Sequence, residues 1–157
     1  MNDIKLFLTD VDGVLTDGSM YYTESGDEFK RFHTYDGMAF ELLRNAGIKT
    51  GIITSENTQI VVRRAAKMKA DYLFQGKRDG GKLAVAEQIC AEMGITLSEV
   101  AYVGDDINCL ELLKAVGLPA CPANASASVK KIPNILLLQS RGGDGAVREF
   151  AEWILAQ

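Results

Sequence analysis

Carboxylates, a hydroxyl and an ammonium group stand at the ends of apolar runs along this sequence. Asp10 and Asp12 follow the first run, Thr54 the second and Asp105 the third, while Lys82 opens a helix-like segment. Carboxylates gathered in a partly buried site repel one another unless a cation binds between them. Hard oxygen ligands suit Mg²⁺, which takes its remaining ligands from water and phosphate. The residue types therefore predict a magnesium site that handles a phosphate group.

The same residues contain the groups that phosphate-ester hydrolysis needs. The Thr54 hydroxyl and the Lys82 ammonium can neutralise phosphate oxygens that a metal leaves free. One aspartate can attack phosphorus, because covalent catalysis by a carboxylate divides a slow hydrolysis into two easier steps. A neighbouring carboxyl can protonate the leaving alcohol and later deprotonate water. His33 is the only histidine, which excludes a His-rich zinc site.

Strand-like and helical segments alternate along the chain, and this alternation predicts an α/β fold. The predicted strands are 5–9, 49–54, 72–74, 100–103, 118–121 and 135–138, and the predicted helical segments are 36–46, 59–68, 82–93, 109–115, 126–131 and 146–156. Such a pattern indicates a Rossmann-like parallel sheet with helices on both faces. Ligands of these sheets bind beyond the carboxyl ends of the strands, where the polar residues above would meet.

One hairpin breaks the alternation after the first strand. Two short strand-like segments flank residues 24–27 (ESGD), so a flap is predicted over about 17–33. Its return leg leads towards the active edge, and Thr34 and Asp36 are predicted there as substrate contacts. No composition shift marks a linker, so residues 1–157 are predicted to form a single domain.

Composition limits the partners of this protein. The chain is 47% hydrophobic and 24% charged with a formal net charge of −4, which offers no long-range attraction to nucleic acid or an anionic membrane. A small-molecule partner is expected instead. No apolar run approaches the roughly 20 residues of a membrane span, and no signal-peptide pattern is present, so we expect a cytoplasmic location. Cys90, Cys109 and Cys121 are predicted to be reduced core residues and Trp153 to be core.

Four segments resemble the ordered motifs of the haloacid dehalogenase phosphatase superfamily. They are residues 10–18 (DVDGVLTDG), residues 52–55 (IITS), Lys82 and residues 103–106 (VGDD). The resemblance implies a magnesium phosphatase in which Asp10 is the nucleophile and Asp12 the general acid and base. It further implies three metal ligands, namely Asp10, the Asp12 main-chain carbonyl and Asp105, and a phosphoryl group held by Thr54 and Lys82. Whether Asp106 and Asn108 contact the metal or act behind its ligands stays open.

The gaps between the motifs leave no room for a cap domain. The chain thus resembles the capless subfamily of 3-deoxy-manno-octulosonate 8-phosphate phosphatases. That resemblance implies a homotetramer in which the hairpin docks into a neighbouring subunit. Residues 142–149 (GGDGAVRE) are similar to the tail of that subfamily, which reaches an adjacent active site. The hairpin and the tail are therefore expected to close neighbouring sites.

The loop after Thr54 departs from that subfamily, which commonly has Gly-Arg where this chain has Ser55-Glu56-Asn57. Here the chain resembles the 2-keto-3-deoxy-nononate 9-phosphate phosphatases, and we predict that these three residues contact substrate. Arg64 and Lys67, one helical turn apart, either engage a sugar acid or form a solvated face. The expected substrate is 2-keto-3-deoxy-D-glycero-D-galacto-nononate 9-phosphate. The alternatives are 3-deoxy-D-manno-octulosonate 8-phosphate and, in another class, a phospho-receiver module, which the motif order disfavours.

Overall fold

A six-stranded parallel sheet forms the centre of the molecule, whose computed structural model describes residues 3–157. Its strands are β1 (Leu6–Thr9), β4 (Lys49–Ile53), β5 (Tyr72–Phe74), β6 (Val100–Val103), β7 (Leu118–Cys121) and β8 (Leu136–Leu137). Their order across the sheet is β5-β4-β1-β6-β7-β8. A separate antiparallel hairpin pairs β2 (Tyr21–Tyr22) with β3 (Glu28–Phe29).

Helices cover both faces of the sheet. They are α1 (Thr34–Asn45), α2 (Gln59–Met68), α3 (Gly81–Met93), α4 (Leu110–Ala115), α5 (Ala127–Lys130) and α6 (Ala146–Leu155). Local chemistry accounts for several helix ends. The Thr58 hydroxyl accepts a hydrogen bond from Val61 N at the start of α2, and the His33 imidazole accepts one from Tyr35 N at the start of α1. The only histidine therefore caps a helix.

Alternating side chains of β1 separate two apolar cores. Phe7 belongs to the core beneath α1, α2 and α6, whereas Leu6 and Leu8 belong to the core beneath α3 and α4. The Phe7 ring lies 6.1 Å from that of Phe40 and 5.7 Å from that of Phe150. Burying each such side chain stabilises the fold by roughly 1.5–3 kcal/mol. Packing on both faces of the sheet therefore fixes the position of β1 between β4 and β6.

Strand register aligns the loops that carry the polar residues. Thr9, the last residue of β1, pairs with Ile52 of β4 on one side and Val103 of β6 on the other. The chain runs from β1 through β4 to β5, and then crosses to β6 on the opposite side of β1. Such a reversal of strand order opens a crevice at the carboxyl edge. The loops after β1, β4 and β6 therefore meet there.

The predicted fold class is confirmed, and the element boundaries differ from prediction by one or two residues. All three cysteines are buried and free, as predicted. Trp153 was predicted to be core, and that is wrong, because it is 37% exposed on the outer face of α6. Over the described residues, none of the helices combines the length and apolar character that crossing a membrane requires.

The segment predicted to be a tail packs against its own chain. Gly143 N donates to Val14 O at 3.0 Å, and a Cβ on Gly142 would lie 2.0 Å from Gly13 O. From Ala146 onwards the chain forms α6, whose Phe150 side chain is fully buried. Residues 142–149 therefore support the loop after β1 of their own chain, and their contact with another subunit stays a prediction.

Candidate active site

Asp10 and Lys82 form an ion pair at the carboxyl edge of the sheet. Asp10 directly follows β1, and Lys82 lies in the first turn of α3. The Lys82 Nζ atom is 3.0 Å from Asp10 Oδ1, which also accepts a hydrogen bond of 2.8 Å from Val11 N. Burial acts to lower the pKa of Lys82, but the charge of Asp10, the hydrogen bond to it and the contact with Cys109 together outweigh burial, and the pKa is raised. Lys82 therefore stays cationic beside the carboxylate.

Cys109 completes the surroundings of the Asp10 carboxylate. Its thiol donates to Asp10 Oδ2 at 3.2 Å, and Lys82 Nζ lies 3.6 Å from its sulfur. Burial, reinforced by the negative charge of Asp10, raises the pKa of Cys109 to about 12. The group is thus a neutral thiol donor. Sequence reasoning assigned Cys109 only to the core, because an isolated cysteine carries no signal for this contact.

Asp105 stands beside Asp10 at the end of β6. Burial raises the pKa of Asp105 well above its usual range, and the charges of Asp10 and Asp106 raise it further. One oxygen each of Asp10 and Asp105 and the Cys109 sulfur all lie within 4.8 Å of one another. Ionised carboxylates this close require a compensating cation. The two carboxylates in this group are hard oxygen ligands, which suit magnesium as the bound metal.

A cavity of about 230 Å³ opens above these groups. It is lined by Asp10, Asp12, Gly13, Gly18, Thr54, Ser55, Glu56, Asp105, Asp106 and Asn108. Thr54, at the end of β4, is 1% exposed, and its hydroxyl accepts from Glu56 N at 3.3 Å. The structure therefore brings three of the four segments singled out in the sequence to one cavity. Lys82 lines a neighbouring cavity and reaches this one through its contact with Asp10.

The hairpin contributes Lys30, a site residue that the sequence analysis missed. Lys30 Nζ lies 2.7 Å from Asp12 Oδ1 and 3.2 Å from Glu28 Oε1, and its side chain is 2% exposed. Burial acts to lower the pKa of Lys30, but these two acids outweigh it and the pKa is raised. Strand alternation places residues 28 and 30 on the same hairpin face. That pattern was the available signal for the pairing of Glu28 with Lys30.

Polar side chains at the cavity rim link the loops to one another. Ser55 Oγ donates to Lys77 O at 3.1 Å and accepts from Asn108 Nδ2 at 3.0 Å. Glu56 accepts a hydrogen bond of 3.3 Å from Arg78 Nη2. Asp106 accepts from Ile107 N at 2.7 Å, the capping geometry of a helix start.

Five predicted substrate residues do not line this cavity. Thr34, Asn57 and Lys67 are exposed outside it. Arg64 donates to His33 O at 3.1 Å and lies 5.2 Å from the centre of the Phe32 ring, so it fastens α2 to the start of α1. Packing between helices directs Arg64 away from the cavity, so the substrate prediction is corrected for Arg64, whereas substrate contact by exposed Thr34, Asn57 and Lys67 stays a prediction.

The prediction that Asp36 contacts substrate is also corrected. Its side chain is fully buried, and Oδ1 accepts a hydrogen bond of 3.0 Å from Arg148 N in the first turn of α6. A carboxylate is favoured at a helix N-terminus by the helix dipole. Burial nevertheless raises the pKa of Asp36. This residue joins α1 to α6 and does not face the cavity.

The sheet and its acidic edge define a class of phosphate-processing hydrolase. The family model described as haloacid dehalogenase-like hydrolase matches residues 27–117. The chain belongs to this family, and it is a phosphatase. The curated 3-deoxy-D-manno-octulosonate 8-phosphate phosphatase KdsC of Haemophilus influenzae is 34% identical over 155 residues, covering 99% of this chain and 84% of the relative.

Solved structures agree with this assignment. A probable YrbI family phosphatase from Pseudomonas syringae is 42% identical with a TM-score of 0.94, covering 99% of this chain and 86% of that one. The 3-deoxy-D-manno-octulosonate 8-phosphate phosphatase from Moraxella catarrhalis, solved with a magnesium ion, a phosphate ion and a KDO molecule, is 35% identical. Its TM-score is 0.92, covering 99% of this chain and 87% of that one. The predicted resemblance to the capless octulosonate phosphatases is confirmed.

Proposed function

We propose that this chain hydrolyses the phosphomonoester of a keto-deoxy sugar acid through an aspartyl-phosphate on Asp10. The observation that carries the proposal is the buried Asp10–Lys82 pair, in which Asp10 lines the cavity together with Asp105. Magnesium is its cofactor, as the Moraxella catarrhalis structure supports. We propose that Asp10, Asp105 and the main-chain carbonyl of Asp12 would hold it. When bound, the ion neutralises the crowded carboxylates and the charge of the phosphate.

The first half-reaction transfers the phosphoryl group to the protein. A carboxylate oxygen of Asp10 forms a bond to phosphorus as the bond to the sugar oxygen breaks, and the Asp12 carboxyl gives that oxygen its proton. Lys82 and the Thr54 hydroxyl hold phosphoryl oxygens. Both side chains are almost fully buried, at 3% and 1% exposed, so they are ordered before substrate binds.

The second half-reaction releases inorganic phosphate. Asp12, now ionised, takes a proton from water as the water oxygen attacks phosphorus and the bond to Asp10 breaks. The Asp12 side chain is 32% exposed and borders the cavity, so it has access to both the leaving alcohol and water. The same carboxyl therefore serves both proton transfers.

The nucleophile assignment is tested with Asp10→Asn. The amide retains the shape of the side chain but cannot form the acyl phosphate, so phosphate release should fall by more than about 1,000-fold in a protein that stays folded by circular dichroism. Glu87→Gln, an exposed acid-to-amide change on α3, is the matched control and should leave turnover unchanged. Sustained turnover by folded Asp10→Asn would refute the assignment.

Two sugar acids are candidate substrates. The relatives described above are named for the eight-carbon 3-deoxy-D-manno-octulosonate 8-phosphate, and we propose this substrate first. The nine-carbon nononate 9-phosphate is the second candidate, because Glu56 lines the cavity where it can accept hydroxyl donors from a longer sugar.

Turnover of the two phosphates by wild type and Glu56→Ala separates these candidates. A wild-type preference for the eight-carbon compound that Glu56→Ala does not change supports the first. A preference for the nine-carbon compound that falls by about tenfold in Glu56→Ala supports the second, since one hydrogen bond to a charged group contributes about 1.5–3 kcal/mol. Arg78→Met is the control for Glu56 placement, because Arg78 is its ion-pair partner.

A further inference from the structure

Lys30 places a buried positive charge of the hairpin against Asp12. The two residues are 18 positions apart in the sequence, and their side-chain atoms lie 2.7 Å apart. Arg31, the next residue, extends to exposed Asp144 at 3.2 Å and Asp17 at 3.5 Å. The hairpin is thus fastened to the site loop at two points, and only the Lys30 contact involves a side chain with a proposed chemical role.

The two oxygens of the Asp12 carboxyl have different surroundings. Lys30 Nζ contacts Oδ1, and Glu28 lies 3.2 Å from the same amine on its other side. Among the described residues, Lys30 is the hydrogen-bond partner of this carboxyl, so Oδ2 is left for the cavity. A group that exchanges protons with substrate needs one oxygen available and a restricted rotamer.

We propose that Lys30 is a positioning residue that holds the Asp12 carboxyl in place for proton transfer, so that the hairpin is part of the acid–base apparatus. The inference rests on the proposed role of Asp12. The simpler alternative is that Lys30 only attracts the substrate anion. An anion-binding lysine would affect all phosphate esters alike, whereas a residue acting through Asp12 matters most where the leaving group needs a proton.

Two aryl phosphates distinguish these roles without requiring the natural substrate. p-Nitrophenolate leaves phosphorus without a proton, whereas the more basic phenolate of phenyl phosphate benefits from one. The value of kcat/KM reports the steps through phosphoryl transfer to the protein. Lys30→Met should therefore lower kcat/KM for phenyl phosphate about 10- to 100-fold more than for p-nitrophenyl phosphate.

Matched variants distinguish a failure of the role proposed for Lys30 from a failure of the proposed function. Lys30→Arg keeps the charge and should return the ratio of the two kcat/KM values to within about threefold of wild type. Arg31→Met, which removes the adjacent hairpin cation, should leave this ratio unchanged. Asp12→Asn should alter the ratio at least as much as Lys30→Met does.

Each outcome supports or refutes either the role of Lys30 or the role of Asp12. If Lys30→Met lowers both kcat/KM values equally, the positioning role is refuted and Lys30 serves binding or folding. If Asp12→Asn leaves the ratio unchanged, the proposed role of Asp12 fails instead. If Lys30→Met does not fold, Lys30→Gln, which keeps a hydrogen-bond donor without the charge, provides the same comparison. A shifted ratio in folded Lys30→Met, reversed in Lys30→Arg, supports the inference.

Discussion

Gly13 allows the loop after β1 to approach the acidic site. Its φ of +84° lies in the left-handed region that favours glycine, and a Cβ at this position would lie 1.9 Å from Asp105 Oδ2. No side chain fits between the loop and this carboxylate. Two separate constraints, backbone conformation and contact with Asp105, therefore require glycine at one position.

Gly13→Ala separates these constraints when it is compared with Gly26→Ala. Gly26 has a φ of +96°, but a Cβ there meets nothing within 4 Å. Each substitution should destabilise the protein by about 1–2 kcal/mol through backbone strain. Only Gly13→Ala should also lower turnover, by at least about tenfold, because Asp105 must move. Urea unfolding and phosphate release measure the two effects. Equal turnover in both variants would contradict the role given to this contact.

Helix α6 supports the site from outside the sheet. Glu149 accepts hydrogen bonds from Gln139 N at 2.9 Å and Ser140 N at 2.7 Å, which fixes the chain after β8. The chain then passes Gly142, whose N–H donates to Asn124 Oδ1 at 2.6 Å, and Asn124 Nδ2 donates to Gly13 O at 3.1 Å. Contacts made by one helix thus reach the loop that carries Asp10 and Asp12.

Glu149→Gln should show a pH-dependent loss of stability. Burial acts to raise the pKa of Glu149, but hydrogen bonds from Ser140 and Gln139 outweigh it, so the folded-state pKa lies below the ordinary value of 4.5. The carboxylate therefore contributes stability above about pH 4.5, and this contribution is lost as the pH falls through the folded-state pKa. We expect a loss of about 1–3 kcal/mol at pH 7.

Denaturant unfolding of Glu149→Gln and wild type at pH 7 and near pH 3 checks this prediction, since the difference in unfolding free energy should shrink at the lower pH. Glu152→Gln is the control on the same helix. Its exposed pair with Arg148, at 2.6 Å, contributes no more than about 1 kcal/mol. A Glu149→Gln difference that grows with acidity would reverse the expected sign.

The exposed apolar face of the hairpin bears on how whole molecules assemble. Met20, Tyr21, Tyr22 and Phe29 are 44–59% exposed, although each is large and apolar or aromatic. A ribbon with two residues per strand has little stability by itself. We keep the homotetramer as a proposal, in which this face packs against another copy. The single domain over residues 1–157 and the cytoplasmic location also stay predictions.

Tyr22→Glu tests the assembly, because it places a charge on the exposed hairpin face. Sedimentation at micromolar concentration should show wild type as a tetramer and Tyr22→Glu shifted towards monomer, since burying an unpaired charge costs several kcal/mol. Leu155→Glu, at an exposed position of α6, is the control and should keep the wild-type mass. Wild type that sediments as a monomer throughout would end the tetramer proposal.

The α/β fold and the residues that meet at the carboxyl edge follow from the amino-acid sequence alone. Sequence periodicity locates the strands, and the carboxyl ends of parallel strands meet at one edge of the sheet. These two facts place Asp10, Thr54 and Asp105 together without coordinates. The family resemblance rested on the same positions. These predictions depend on chain order and strand ends, which residue patterns encode directly.

The contacts that those residues make depend on how the whole chain packs. That packing directed Asp36 to the start of α6 and Arg64 to His33, both away from the cavity, and it brought Lys30 and Cys109 to the proposed proton donor and nucleophile. Such contacts join elements far apart in the chain. They depend on how helices and the hairpin pack over the sheet and on side-chain rotamers, and local periodicity specifies neither.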